Sequence, residues 1–325
     1  MKSAFHLLFV IIVFVAAPNA EAGVKLKIGT LPIADTLLLH VAQREGFFEE
    51  EGLEVDLIPF QGFVEKNAAV QSGELDGHFC EISAVIIQRA AKLPFVVVAT
   101  TSHTNPRARM FGLVTSPKCG AGRIEDLAGL SLATSRLAIV DFLADHFLEV
   151  KGLPDNFMKR KNLVKIPVRM QILTSGQVDA AVLPEPLLSI AEQAGGRVIM
   201  DDRELNMPLA AVALREDLAT AENVRALRRA LIKAGQAINK QPETYRPLLM
   251  ELRLIPPQLA DSFIMPPVDL ELIPQTLPSP ELYQSYIRWL VKNKALSGQE
   301  TSGGLPPIPP YEQVIWQSPT DEIKK

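Results

Sequence analysis

Aromatic residues, cysteine and net positive charge are all in short supply in this 325-residue chain. Phenylalanine, tryptophan and tyrosine together make up only 6% of it, which disfavours recognition of a large flat ligand. Its 33 lysines and arginines are outnumbered by 37 aspartates and glutamates, whereas nucleic-acid binding needs a concentrated basic face. Hydrophobic residues (47%) and charged residues (22%) occur at ordinary globular levels, which excludes a disordered chain, a collagen-like repeat and a coiled coil. At this length two domains are the natural expectation.

The two cysteines, Cys80 and Cys119, follow different predicted strands. Neither has a second cysteine or a histidine at metal-ligand spacing, so no zinc site is expected. An oxidising compartment would permit a disulfide, but only if the two Cα atoms come within bridging distance. The sequence leaves this pairing open, with two free thiols as the default.

Long hydrophobic runs are also missing, because the longest one, residues 4–17, is shorter than the ~20 residues that cross a bilayer. Lys2 precedes this run, Pro18 breaks it, and residues 20–22 (AEA) have the small-x-small pattern of a signal-peptidase site. We therefore predict a signal peptide over residues 1–22, cleaved after Ala22, and a soluble protein exported to the periplasm. A retained membrane anchor is the alternative.

Strand patterns alternate with helix patterns along the rest of the chain. Residues 24–30 alternate apolar and polar side chains, 36–45 carry a helical apolar stripe, and 53–60 form the next strand pattern. A later strand is predicted at 163–166, and Thr220 is predicted to cap a long helix. This alternation predicts an α/β fold whose sheets are largely parallel, with the binding edge at the strand C-termini.

Short polar segments at about 101–109 and 201–207 divide the chain into two lobes with two crossovers. We predict that residues 23–105 and 206–325 form lobe 1, including a Pro-rich C-terminal extension that wraps its surface. Residues 106–205 then form lobe 2. The groove between the lobes is the expected ligand site.

Catalytic and nucleotide-binding motifs are absent: the chain has no GxSxG, HExxH, P-loop or GxGxxG after a strand. The histidines outside the signal peptide have no partner at nucleophile–base or metal spacing; they are His40, His78, His103 and His146. Only His103, in the hinge-like segment TSHTNPRAR, is expected to face the groove. The sequence therefore predicts a protein that is not an enzyme and holds neither metal nor cofactor.

Several turns at predicted strand ends could contact a ligand. In the first, Asp35 or Thr36 would cap the following helix, or the helix N–H groups would bind a ligand oxygen. In the second lobe Ser135 and Arg136 begin a helix, and Arg136 could hold an anion by charge-assisted hydrogen bonds or remain a solvated surface residue. Turns of the same kind present Gln61, Phe79, Cys80, Glu81 and Glu185, although Phe79 could equally be a core residue.

Six segments spread over nearly the whole mature chain carry a family resemblance. They are GTLPIADTLLLHVAQREGFFEEEGLEVDLIPF (29–60), SGELDG (72–77), RIEDLAGLSLATS (123–135), SGQVDAAVLPEP (175–186), NKQPETYRPLL (239–249) and YIRWLVKNKAL (286–296). In this order they resemble the substrate-binding proteins of the nitrate/sulfonate/taurine ABC-transporter group, which includes the thiamine-pyrimidine-synthase-like proteins.

The resemblance implies a type II periplasmic-binding-protein fold and a membrane permease with its ATPase as partners. It also implies a ligand cleft at positions that match Pro32, Asp35, Gln61, Cys80, Glu81, Thr101, Ser135, Arg136 and Glu185. We expect a monomer that closes by a hinge on a small organic solute, either a sulfonate or taurine-like anion or a pyrimidine-type thiamine precursor. If the ligand is an anion, Arg136→Ala should abolish its binding.

Two alternatives remain open at this point. One is an enzyme on the same fold, a pyrimidine synthase or a menaquinone-pathway lyase. The family's pyrimidine-synthesising enzymes carry a CCCFC run, of which this chain has only Phe79-Cys80, and export also disfavours cytoplasmic chemistry. The other is a ligand sensor that signals to a membrane receptor.

Overall fold

Two lobes, each built on a five-stranded sheet, make up the structure, a computed structural model that describes residues 23–261, 263, 265–297 and 306–318. The strands of lobe 1 are β1 (Val24–Thr30), β2 (Leu53–Pro59), β3 (Gly77–Glu81), β4 (Phe95–His103) and β10 (Pro208–Arg215). Those of lobe 2 are β5 (Phe111–Thr115), β6 (Ser131–Thr134), β7 (Lys159–Asn162), β8 (Ala180–Pro184) and β9 (Val198–Asp201). The predicted signal peptide lies outside the described residues.

Helices cover the faces of both sheets. They are α1 (Leu37–Arg44), α2 (Phe47–Glu50), α3 (Phe63–Ser72), α4 (Ile82–Ala90), α5 (Ile139–Val150), α6 (Ile166–Thr174), α7 (Leu187–Gln193), α8 (Ala221–Lys240), α9 (Pro242–Glu251), α10 (Pro280–Lys292) and α11 (Tyr311–Val314). Within the described ranges, no helix combines the length and the apolar character needed to cross a membrane.

The sheets are mixed, so the prediction of largely parallel sheets is wrong. In lobe 1, with order β2-β1-β3-β10-β4, β1 runs parallel to β2 and β3, but β10 runs antiparallel to β3 and β4. In lobe 2, with order β7-β6-β8-β5-β9, β6 is parallel to its neighbours and β5 is antiparallel to its own. The antiparallel strands β5 and β10 are the two that directly follow the crossovers. Each enters its sheet from the other lobe and therefore runs opposite to the strands of the local β-α units.

The strand predicted at 163–166 is also misplaced, because the structure has β7 at Lys159–Asn162 instead. These residues (KRKN) are all polar and show no apolar alternation. β7 is an edge strand that pairs only with β6, and charged side chains are typical of exposed sheet edges. The following apolar residue Leu163 instead packs against the buried cluster of lobe 2 that includes Leu173 of α6.

The C-terminal chain contacts both lobes. In lobe 1, the backbone N–H of Trp316 donates to the Val97 carbonyl at 3.0 Å, and the C-terminal chain so covers part of the exposed edge of β4. On the side of lobe 2, Trp289 of α10 donates its Nε1–H to Asp145 of α5 at 3.1 Å. Residues 206–325 therefore include a helix that bridges to lobe 2, although the sequence analysis assigned the whole segment to lobe 1. The exact lobe boundaries stay a prediction.

The helix α8 begins as its sequence predicts. Thr220 has an extended backbone, and its Oγ1 accepts a hydrogen bond from the Asn223 N–H at 3.2 Å. The cap expected at the start of α1 is wrong: the Thr36 hydroxyl instead donates to the carbonyls of Leu31 (3.2 Å) and Ile33 (2.8 Å). That start is a tight turn over Ala34–Thr36, in which the threonine satisfies carbonyls rather than helix N–H groups.

Replacing Thr220 with alanine should therefore destabilise the protein, whereas Thr220→Ser should not. We expect Thr220→Ala to lower the free energy of unfolding by about 1 kcal/mol, since one helix N–H loses its acceptor. Serine keeps that acceptor and is the matched control. Urea unfolding followed by circular dichroism measures both changes, and equal stability of the two variants would contradict a capping role.

Both cysteines are free thiols, as the default expectation held. Cys80 is buried and Cys119 is half-buried.

Both tryptophans form hydrogen bonds within the protein. Trp289 donates to Asp145, as described above, and Trp316 donates its Nε1–H to the Ala219 carbonyl at 2.9 Å.

Candidate functional site

The two crossovers between the lobes run side by side and hydrogen-bond to each other. The Thr104 N–H donates to the Met207 carbonyl at 3.0 Å, and the Met207 N–H donates back to Thr104 Oγ1 at 2.9 Å. Closer to lobe 2, the Met110 N–H donates to Asp202 Oδ1 at 2.9 Å. These bonds tie the two connections together at the base of the interlobe cleft.

A cavity of about 500 Å³ opens between the lobes next to this crossover pair. Lobe 1 contributes the turn after β1 and the end of β4, and lobe 2 contributes the chain that follows β8. The C-terminal half of the chain adds an apolar wall of Ile238, Leu249, Leu259, Phe263 and Ile273. The cavity thus has a polar end at the strand termini and an apolar side.

Four of the predicted site residues line this cavity: Asp35, Thr101, His103 and Glu185. His103 is buried and its Nδ1 lies 2.8 Å from the Thr104 carbonyl. Because a carbonyl can only accept, Nδ1 carries the proton, and burial lowers the pKa of the ring. His103 is therefore a neutral side chain whose Nε2 is the acceptor.

Glu185 is committed to an ion-pair cluster that the sequence analysis missed. Its Oε1 lies 2.7 Å from Arg109 Nε, and the same guanidinium contacts Glu192 and the Ser189 hydroxyl. Arg109 lies in the segment TSHTNPRAR, which drew attention only for its histidine. Two carboxylates on one guanidinium leave Arg109 no excess charge for a ligand.

Asp35 has a different environment, because no cation of the described residues forms an ion pair with it. Burial, and then the nearby carboxylate of Asp202, raise the pKa of Asp35 to about 6. Asp202 is fully buried behind Met110, and burial raises its own pKa to about 6. A partly buried carboxylate without a counter-ion therefore faces the cavity.

Glu81 connects the two lobes outside the cavity. From the end of β3 its Oε2 accepts a hydrogen bond from the Ile139 N–H at 2.9 Å, at the start of α5 in lobe 2. Burial is the largest influence on this carboxyl and raises its pKa to about 7, against the attraction of Lys66 and Arg169. The contact closes this part of the cleft with a carboxyl group at a helix N-terminus, where negative charge is favourable.

The remaining predicted residues do not line the cavity. Phe79 and Cys80 are buried core residues of lobe 1, and burial raises the pKa of the Cys80 thiol to about 12. Arg136 is exposed, and its guanidinium donates to the Asn293 carbonyl at 2.9 Å, just after α10. The others are Pro32 and Gln61, both exposed, and Thr36 and Ser135, both buried.

The chemistry of these groups does not favour nucleophilic catalysis or metal binding at the predicted positions. Cys80 is a neutral thiol at physiological pH, and burial lowers the pKa of the adjacent His78 to about 3. In the part of the chain that the structure describes, no three histidine, cysteine or acidic side chains come together to hold a metal ion.

Solved structures with the same fold include the following three. The aliphatic sulphonate binding protein SsuA from Escherichia coli has a TM-score of 0.71 and 19% identity, over 90% of this chain and 92% of that one. The alkanesulfonate-binding protein SsuA from Xanthomonas axonopodis pv. citri, bound to MOPS, has a TM-score of 0.66 and 17% identity, over 86% and 94%. A Candida albicans protein with the generic periplasmic binding protein fold has a TM-score of 0.61 and 14% identity, over 85% and 92%.

These likenesses confirm the expected two-lobed periplasmic-binding-protein fold. Among curated proteins, none matches this sequence. The family resemblance expected from the six sequence segments is confirmed as well, because the model of the NMT1-like family matches residues 19–250. That match spans more than half of the chain, and the protein therefore belongs to the NMT1-like family.

Proposed function

We propose that this protein is the solute-binding component of an ABC importer, exported to the periplasm, and that it captures a small organic solute between its lobes. The observation that carries this proposal is the cavity at the lobe interface, beside the paired crossovers. Its volume of about 500 Å³ falls in the range of small-molecule sites. The names of the two SsuA relatives, which bind sulfonates, support the same role.

Hinge closure is the second part of the proposal. Besides the crossovers, the described contacts between the lobes include the hydrogen bonds of Glu81 with Ile139 and of Arg136 with Asn293, and the packing of α10 on α5. A solute that contacts both lobes would favour the closed arrangement, and a permease would distinguish it from the open one. The permease and its ATPase are then the partners of this protein.

An enzymatic role on the same fold is less well supported. The pyrimidine-synthase reading would require reactive chemistry near Phe79-Cys80, but both side chains are buried in the core, away from the cavity. A sensor role would use the same cavity and differ only in the membrane partner.

The direct test is mass spectrometry of the small molecules that the protein releases on denaturation after purification from its native host without dialysis. We expect one compound in stoichiometric amount, and uptake of that compound should be lost when the gene is deleted. Released solute whose uptake does not depend on this protein would contradict the importer role. An empty extract, together with no thermal shift in a panel of sulfonates, oxyanions, amines and pyrimidines, would contradict solute binding itself.

The same released compound tests Arg136. Arg136→Ala should abolish the binding of an anionic solute if its guanidinium leaves Asn293 to reach the ligand. Lys159, an exposed cation of lobe 2, provides the control variant Lys159→Ala. Isothermal titration measures both affinities, and an unchanged affinity of Arg136→Ala would remove Arg136 from the site.

A further inference from the structure

The charges around the cavity are unevenly distributed. Three carboxylates line it, those of Asp35, Glu185 and Asp269, against the two guanidinium groups of Arg107 and Arg109. Glu185 and Glu192 together neutralise Arg109, as described above. The remaining cation, Arg107, has a largely exposed side chain, 3.6 Å from Asp269. An anionic head group would therefore meet no uncommitted cation among the described lining residues.

A cationic group would meet an uncommitted carboxylate, because Asp35 has no counter-ion within the described chain. Thr101 and Ser102, at the end of β4, also line the cavity, and both residues are more than nine-tenths buried. Among the described residues neither hydroxyl has a hydrogen-bond partner within the usual distance and angle, although the Ser102 hydroxyl lies near enough to Asp35 to lower the pKa of its carboxyl. Buried polar atoms without a partner are uncommon, since each costs free energy.

A third orphaned atom belongs to the same cluster. Asp202 Oδ1 accepts from the Met110 N–H, but Oδ2 of this fully buried carboxylate has no hydrogen-bond partner in the described part of the chain. Asp202 lies close enough to raise the pKa of Asp35 by charge repulsion. The cavity lining thus includes the Asp35 carboxylate and two hydroxyl residues, all of which can accept hydrogen bonds, and the buried Asp202 carboxylate lies near Asp35 outside the lining.

We propose that the solute carries a positively charged nitrogen, and that Asp35 binds this nitrogen with help from the Thr101 and Ser102 hydroxyls. This inference rests on the proposed solute-binding function and narrows its ligand class. The nitrogen donates to the Asp35 carboxylate and to the orphaned hydroxyl oxygens, and Asp202 adds negative potential from behind. The remainder of the solute lies along the apolar wall that Ile238, Leu249 and Phe263 help to form.

Matched pairs of solutes test this directly on the full mature chain. Taurine and isethionate share a two-carbon sulfonate and differ only in an ammonium against a hydroxyl group. Phenethylamine and 2-phenylethanol make the same comparison on an apolar body without a sulfonate. In isothermal titration we expect the ammonium member of at least one pair to bind at least tenfold more tightly than its hydroxyl partner.

Two variants locate the effect. Asp35→Asn keeps the shape of the side chain and should abolish the preference for ammonium. Asp56 is an exposed residue of β2, and the control variant Asp56→Asn should retain the preference. Thr101→Val should weaken binding of the amine several-fold without lowering the unfolding temperature, because it removes a hydroxyl that has no partner in the protein. A residue with a purely structural role would not separate binding from stability in this way.

The outcomes are distinct. Equal binding within both pairs, failure of both amines to bind, or an ammonium preference that survives Asp35→Asn would each overturn the inference. If a hydroxyl member binds and neither amine does, solute binding stands and only the cationic nitrogen is excluded. A protein that binds no panel member and releases no small molecule on denaturation fails the proposed function itself.

Discussion

Replacing Phe142 with alanine should lower the free energy of unfolding by about 3–5 kcal/mol, the usual cost of removing a buried phenylalanine ring. Phe142 of α5 is 4% exposed, and its ring stacks on Tyr286 of α10 with 4.1 Å between the centroids. It also meets the Trp289 ring edge-on at 5.5 Å. The variant therefore loses both a buried volume and the aromatic contacts that dock α10 on lobe 2.

The structural change around α10 can be measured separately from the loss of unfolding free energy. Trp289 is one of only two tryptophans, so its fluorescence should shift when the Phe142 ring is removed. Val150→Ala on the same helix is the control, because Val150 is 56% exposed and its loss should change stability little. A loss below about 1 kcal/mol for Phe142→Ala would mean that the neighbouring side chains collapse into the space, and α10 would then not depend on this ring.

Much of the fold could be predicted because its strands have strong local patterns. The bounds predicted for β1 (24–30) agree with the structure, since the segment alternates apolar and polar side chains and ends at a clear turn signal. β7 was missed because its four residues carry no apolar pattern, and its pairing with β6 comes from tertiary structure. The direction of β5 and β10 depends on which lobe the chain has just left, and no local pattern encodes that.

The candidate site was harder to predict for a related reason. Positions at strand ends were found from turn signals, and Asp35, Thr101, His103 and Glu185 do line the cavity. The partners that decide their chemistry come from distant parts of the sequence: Arg109 neutralises Glu185, and the Asp202 carboxylate helps to raise the pKa of Asp35. Phe79 and Cys80 sit in the same strand-end pattern but point into the core, because β3 is buried on both faces.

Glu81→Gln should remove a pH dependence of stability that the wild-type protein shows between pH 5 and pH 7.5. The pKa of Glu81 rises from the ordinary 4.5 to about 7 in the folded protein, mainly through burial. Between these values the unfolded chain releases the proton while the folded protein keeps it, so the native state binds more protons and its stability falls as the pH rises. For this one group we expect a loss of about 2–3 kcal/mol over that range, with no further loss well above pH 7.

Glutamine is the informative replacement because its carbonyl oxygen can still accept from the Ile139 N–H, so the contact between the lobes is kept while the ionisation is lost. Burial also raises the pKa values of Asp35 and Asp202 to about 6, but both residues are present in both proteins, so the difference between the two pH profiles reports the ionisation of Glu81 together with its repulsion by Asp35. Glu54→Gln, at an exposed position of β2, should leave the wild-type profile unchanged. Urea unfolding at intervals from pH 5 to 7.5 measures these profiles. Parallel profiles for wild type and Glu81→Gln would show that the Glu81 carboxyl ionises as it does in water, and that the cleft near α5 is open to solvent rather than closed by this residue.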